Sequence, residues 1–217
     1  SEKLRATDFT VLLDLHSKIR SRMLRMFFLR RRAVVWQNRS WRENVLVYCF
    51  KKRYQAKSYI ADRYHEAVEQ LVGSPLPRGE LRYYPGPDDS REGAEALRTA
   101  GVDLSRPILA MAAGAHWETK RWPAEYYREI TRRAVSAGCQ VVLHGSTGER
   151  ELSLSIMEGL PDTFDFTGAS FSLMGGTFLH SSAFIGNDSG TMHMARGLGL
   201  PTLALFGSTD PGMFDFT

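Results

Sequence analysis

Residues 107–144, PILAMAAGAHWETKRWPAEYYREITRRAVSAGCQVVLH, decide the fold. PILAMA (107–112) is a short apolar run without polar alternation, the pattern of a strand buried on both faces. After a small-residue turn, Pro123 stands at the first turn of a segment with helical periodicity over 124–137, and Gly138 ends it. QVVLH (140–144) is a second apolar strand. Strand, helix and strand in this spacing predict a parallel βαβ unit, because parallel strands need a crossover that a helix supplies.

The same rhythm continues outward. Toward the C-terminus the pattern predicts a helix over 149–157, a strand over 183–186, a helix over 191–198 and a strand over 201–206 (PTLALF). Toward the N-terminus it predicts a helix over 92–100. Before that, GSPLPRGELRYYPG (73–86) crowds Pro and Gly together as a connector does, and the domain boundary is expected there. In front of the connector, FTVLLDL (9–15) and RAVVW (32–36) read as strands. Residues 17–29 have helical periodicity, and Tyr64, Ala67, Val68, Leu71 and Val72 form one helical stripe. Residues 39–58 carry no decisive pattern. Alternating apolar strands and helices imply an α/β fold, parallel sheets covered by helices on both faces. The expected domains are 1–73, a lead-in over 74–106, and a second domain over 107–217.

Composition narrows the function classes. The chain has 217 residues, 43% hydrophobic and 24% charged, which excludes disordered and collagen-like classes. No stretch approaches the roughly 20 apolar residues of a spanning helix, and SEKLRATD at the start does not read as a signal peptide. Cys49 and Cys139 match no metal spacing and suit a reducing compartment. The net charge of +4 hides an asymmetry: residues 1–73 hold 16 Lys and Arg against 7 Asp and Glu, and the rest hold 12 against 17. A basic front half fits nucleic acid, anionic lipid head groups or a phosphorylated substrate, or simply a solvated helix face.

In parallel sheets of this kind ligands bind beyond the carboxyl ends of the strands. The loops there are AGAHWETKRWP with Lys120 and Arg121, GSTGERE with Glu149, NDSGTMHMARGLGLP with Asp188, Ser189, Gly190 and His193, and FGSTDP with Gly207, Ser208 and Thr209. Lys120 can reach an anion over the sheet. Glu149 suits either a helix dipole or the two hydroxyls of a ribose. Asp188 or Ser189 caps a helix whose unpaired N–H groups, approached over Gly190, favour a phosphate. His193, one turn in, is either a satisfied structural residue or a donor to an anion or sugar. Together the loops read as a nucleotide diphosphate site, without G-x-G-x-x-G, without a P-loop and without a carboxylate cluster for Mg²⁺. No metal and no separate cofactor are expected.

KRWP (120–123), VVLHGSTGERE (141–151), NDSGTMHMA (187–195) and LGLPTLALFGSTDP (198–211) resemble, in order and spacing, the ADP-heptose:lipopolysaccharide heptosyltransferases, glycosyltransferase family 9. FTVLLDLHSKIRSRML and YHEAVEQLVG resemble the later part of that family's N-terminal domain. Ala113-Gly114-Ala115, where the family's turn usually begins with Pro, and Thr191, where it often has Pro, are departures. The resemblance implies a GT-B type fold of two Rossmann-like doubly wound domains, the N-terminal one incomplete and the C-terminal one truncated. It implies that Lys120 contacts the donor diphosphate, Glu149 the ribose, and Asp188, Ser189, Gly190 and His193 the phosphates and heptose.

The implied reaction is inverting transfer of heptose from ADP-heptose to the lipopolysaccharide inner core, at the cytoplasmic face of the inner membrane. The implied general base lies outside the chain, which reads as a fragment and is expected to be inactive alone; Asp14 matches a different, internal strand. Two other classes stay open: a GT-B transferase or epimerase using another nucleotide sugar such as a UDP-sugar, and a non-catalytic anion-binding module. Nucleic-acid binding is not expected, since the basic half lacks the interleaved aromatics of a stacking platform.

Overall fold

The computed structural model describes residues 11–15, 20, 21, 23, 32–35 and 60–213. The chain divides into two compact units, Ser1–Gly79 with Asp210–Thr217, and Glu80–Thr209.

In the first unit, β1 (Val11–Asp14) pairs in parallel with β2 (Arg32–Val35), Val11 opposite Arg32 and Asp14 opposite Val35. Arg20, Ser21 and Met23, inside the predicted helix, are helical. Residues 39–58 lie outside the described residues. Helix α1 (Ile60–Val72) begins four residues before the stripe read from the sequence. The segment after it folds back: Glu69 accepts from the Leu76 N–H at 2.8 Å, and Arg78 pairs with Asp62 at 2.8 Å.

The second unit is one parallel sheet. Helix α2 (Asp89–Thr99) leads into β3 (Ile108–Ala112), α3 (Ala124–Ser136), β4 (Gln140–Gly145), α4 (Arg150–Met157), β5 (Thr163–Thr167), α5 (Phe171–Phe178), β6 (Ala183–Asn187), α6 (Gly190–Gly197) and β7 (Thr202–Leu205). The strand order is β5-β4-β3-β6-β7, all parallel. The chain builds outward from β3 to one side, then returns to β3's other side, so the order reverses between β3 and β6. That is the doubly wound arrangement, with its switch point at β3/β6.

Alternate residues of β3 face opposite cores. Ala110 and Ala112 pack with Met174, Phe178, Phe184 and Met192 under α5 and α6, while Met111 packs with Tyr127, Leu143, Ile156 and Ile185 under α3 and α4. A third cluster, Leu97, Val102, Ile108, Val142 and Phe166, seats α2. Fully burying each large side chain of this kind contributes about 1.5–3 kcal/mol. Both faces are covered, which is why these strands read as continuous apolar runs.

Two elements were not legible. TFDFT at β5 carries an acid mid-strand and is only partly buried, as an edge strand allows. In α5, FSLMGGTF, the paired glycines hide a helix, and the packing explains them: a Cβ on Gly93 of α2 would lie 2.2 Å from the Gly176 carbonyl carbon. Backbone-to-backbone contact between α2 and α5 therefore selects glycine against helix propensity. In the chain, β5 and α5 thus stand between the strand ends that carry Glu149 and Asp188. Elsewhere the bounds shift by only a few residues; α3 ends as expected at Gly138, which adopts φ +87.

Candidate active site

The crevice at the β3/β6 switch point is shaped by Asn187, the last residue of β6. Its fully buried amide donates to the Ala113 carbonyl at 2.6 Å, and its Oδ1 accepts from the Trp122 N–H at 3.0 Å, tying both ends of the loop after β3 to β6. From the β7 side, the Ser208 N–H donates to the Thr119 carbonyl at 3.1 Å, and their hydroxyls lie 3.1 Å apart. This approach requires Gly207, where a Cβ would sit 2.3 Å from the Thr119 oxygen. The short 3₁₀ turn Glu118–Lys120 is thereby held from two neighbouring strands.

Lys120 ends that turn. Its Nζ donates to Asp188 Oδ2 at 2.6 Å, joining residues 68 apart in sequence; the Asp188 side chain is 4% exposed and that of Lys120 27%. His193 Nε2 stands 3.9 Å from Asp188 Oδ1. Burial holds the His193 imidazole below its ordinary value, Asp188 opposing and Arg196 and Lys120 assisting, so it is neutral at pH 7. Ser189 occupies the cap position of α6 with extended backbone, and its hydroxyl makes no capping bond; its buried Oγ has no hydrogen-bond partner among the described residues. Gly190 is exposed and a Cβ there would meet nothing within 4 Å. The first turn of α6 therefore offers unpaired N–H groups and the positive end of a helix dipole to open space, beside an ammonium.

Glu149 belongs to the neighbouring strand end, after β4. Its Oε2 accepts from the Ser146 N–H at 2.7 Å and from the Ser146 hydroxyl at 2.9 Å, half of a capping box on the turn that precedes α4. The carboxylate also lies against Gly114, where a Cβ would come 1.9 Å from Oε1. Both readings of Glu149 thus have a physical basis: one oxygen stabilises the helix start, and Oε1 has no hydrogen-bond partner among the described residues. Lys120, Glu149, Asp188, Ser189, Gly190 and His193 all stand at one edge of the sheet.

Sequence reading missed Asn187 as a shaping residue, although its place at the last position of β6, immediately before Asp-Ser-Gly, was a usable signal. His144, also unassigned, is 1% exposed and sits edge-on to Phe178 at 4.9 Å. Its Nε2 is 3.4 Å from the Thr177 hydroxyl, and burial pushes its imidazole down to about 3. It is a neutral core residue. Among the described residues no group of His, Cys, Asp and Glu could hold a metal ion, and no helix is long and apolar enough to cross a membrane.

Comparison with known proteins follows the same lines. The chain is 27% identical to lipopolysaccharide heptosyltransferase 1 of Pseudomonas aeruginosa over 214 residues, 97% of this chain and 58% of that protein. In three dimensions it resembles a family 9 glycosyltransferase from Veillonella parvula, with TM-score 0.78 and 20% identity, over 98% of this chain and 61% of that one. It also resembles the E. coli heptosyltransferase WaaC with ADP, with TM-score 0.70 and 20% identity, over 98% and 65%. The chain therefore spans about three fifths of the length of these relatives. Such likeness establishes the fold, α/β of GT-B type, in agreement with the sequence reading. The model of glycosyltransferase family 9 (heptosyltransferase) matches residues 1–215, and the chain belongs to that family.

Proposed function

We propose that this protein transfers heptose from ADP-L-glycero-D-manno-heptose to a sugar hydroxyl of the lipopolysaccharide inner core, with inversion, and that the second unit binds the donor. The observation that carries the reading is the Lys120 ammonium beside the open N-terminus of α6 at the switch point of the sheet. The relatives support it: one is a lipopolysaccharide heptosyltransferase and another was solved with ADP.

In this reading the acceptor hydroxyl attacks the anomeric carbon as the bond to the β-phosphate oxygen breaks through an oxocarbenium-like transition state. Its proton passes to a general base that is none of the site residues named above. Negative charge grows on the departing ADP. Lys120 and the N–H groups following Ser189 oppose it, and donors of this kind are each worth roughly a hundred- to thousandfold in rate. Glu149 Oε1 accepts from the ribose hydroxyls. Asp188 and the neutral His193 face the sugar side of the diphosphate. The basic residues of the first 73 positions meet the anionic acceptor and the cytoplasmic face of the inner membrane, an association that salt weakens.

Calorimetric titration of the full-length protein with ADP, UDP and GDP tests this. Saturable binding selective for ADP and weakened by Lys120→Ala is expected. Preference for UDP would retain the architecture and discard heptose transfer, and binding to none of the three would discard the donor site.

A further inference from the structure

The Lys120–Asp188 pair carries a tension that a contact of Asp188 with the donor's sugar does not remove. A carboxylate whose side chain is 4% exposed stands 2.6 Å from the cation meant for a diphosphate. It is not needed to shape the loop, because Asn187 and Ser208 already tie that loop down through neutral groups at 2.6, 3.0 and 3.1 Å. Nor does it cap α6, whose cap position belongs to Ser189. Among the described residues Asp188 is the one hydrogen-bond partner of Nζ. The other nearby base, His193 at 3.9 Å, is neutral at pH 7 and supplies no competing charge. An anion accepting from Nζ must come within about two hydrogen-bond lengths, ~6 Å, of Asp188 Oδ2.

We propose that Asp188 is an internal counter-anion that competes with the donor's diphosphate for the Lys120 ammonium, keeping nucleotide binding weak and easing departure of the product nucleoside diphosphate. The inference rests on the donor-site reading above and assigns Asp188 a positioning role through Lys120. An unliganded site holds the Lys120 Nζ, its side chain 27% exposed, against Asp188 Oδ2 at the carboxyl edge of the sheet. A bound diphosphate draws it partly away from Oδ2. The carboxylate's competition lowers the gain from the ammonium for donor and product alike, so the product, on which the phosphate charge is fullest, is held less tightly than an unpaired ammonium would hold it. After transfer the carboxylate reclaims the ammonium as the nucleotide leaves.

The experiment measures affinity and dissociation rate for ADP, and for inorganic pyrophosphate as an anion without base or sugar, in the full-length protein and in Asp188→Asn, Asp188→Ser, Lys120→Met and the Lys120→Met/Asp188→Asn double variant. Asp188→Asn is expected to bind both ligands at least about fivefold more tightly, chiefly through slower release, and Asp188→Ser to change in the same direction. In the Lys120→Met background the gain should shrink to less than half. Weaker binding by Asp188→Asn at an unchanged melting temperature would make Asp188 a template and overturn the proposal. Equal gains in both backgrounds would reduce it to plain repulsion and overturn the sharing of the ammonium. A gain for ADP without one for pyrophosphate would also overturn it. Failure of the donor reading is separately visible, as wild-type protein that binds neither ligand.

Discussion

The two ends of the second unit's sheet each carry an ion pair that bridges neighbouring loops, and the two pairs are built differently. At the amino edge, Arg106 grips Asp162 with both arms of its guanidinium, at 3.0 and 2.8 Å, and gives a further N–H to the Gly138 carbonyl at 3.2 Å. Arginine's planar fork matches a carboxylate bidentately and leaves little over for anything else. Asp162 is held below its ordinary value by that bond, and sits at φ 54, a backbone conformation the clamp helps to keep. At the carboxyl edge, Lys120 meets Asp188 through one contact of an ammonium that has three donors, beside an open helix start and an unpartnered serine hydroxyl. Saturated geometry with a fork makes a structural clamp. Unsaturated geometry with a point charge makes a place where something else can bind.

The largest effect expected from this contrast is on rate. Lys120→Ala in the full-length protein should lower kcat about a hundred- to thousandfold, beyond whatever melting temperature is lost by leaving the Asp188 carboxylate without its partner; an unaltered kcat would move Lys120 out of the mechanism and make the two edges alike. Gly207→Ala, whose Cβ would fall 2.3 Å from the Thr119 oxygen and 3.0 Å from Lys120 Cα, should displace the turn and cost about ten- to a hundredfold in transfer rate. Full activity in that variant would show that the turn adapts and that the lysine's placement is loose.

Acid stability separates the core from the site. His144 has a folded value of about 3 against about 6.5 when unfolded, so the unfolded chain binds the extra proton between those values. Stability is fully present above pH 6.5 and is lost as pH falls toward 3, by an amount on the order of a few kcal/mol. His144→Gln should flatten the melting temperature between those pH values without altering ADP affinity at pH 7, as thermal scans across the range would show. A slope left intact would transfer the acid response to the site, where His193 is shifted in the same direction. The smallest effect belongs to the amino edge: Arg106→Ala should lower the melting temperature slightly, more at low salt than at high, with kcat unchanged. A loss of kcat would break the division between clamp and site.

Legibility in the sequence followed the reach of the interactions. Strands β3, β4 and β6 were readable because burial on both faces leaves unmixed apolar runs such as PILAMA, and β7 because PTLALF is unmixed although Leu203 is exposed at the sheet's edge. Helix α3 was readable because Pro123 and Gly138 punctuate it. TFDFT and FSLMGGTF were not, because what makes them a strand and a helix lies elsewhere in the chain: the edge pairing with β4, and the Gly93–Gly176 contact with α2. The site residues were named from loop positions after strands, yet the loops alone could not tell that Glu149 spends one oxygen on Ser146 or that Asn187 laces the crevice.

By itself the sequence determined the α/β class, the family and the strand ends from which binding residues project, because hydrophobic periodicity and local punctuation act over a few residues. Only the tertiary structure decided which of those ends meet. The reversal of strand order brings β6 beside β3 rather than beside β5, and that adjacency sets Lys120 against Asp188 across 68 residues of chain. Pairing between charges so far apart in sequence depends on how the strands are ordered in the sheet, which no local pattern encodes.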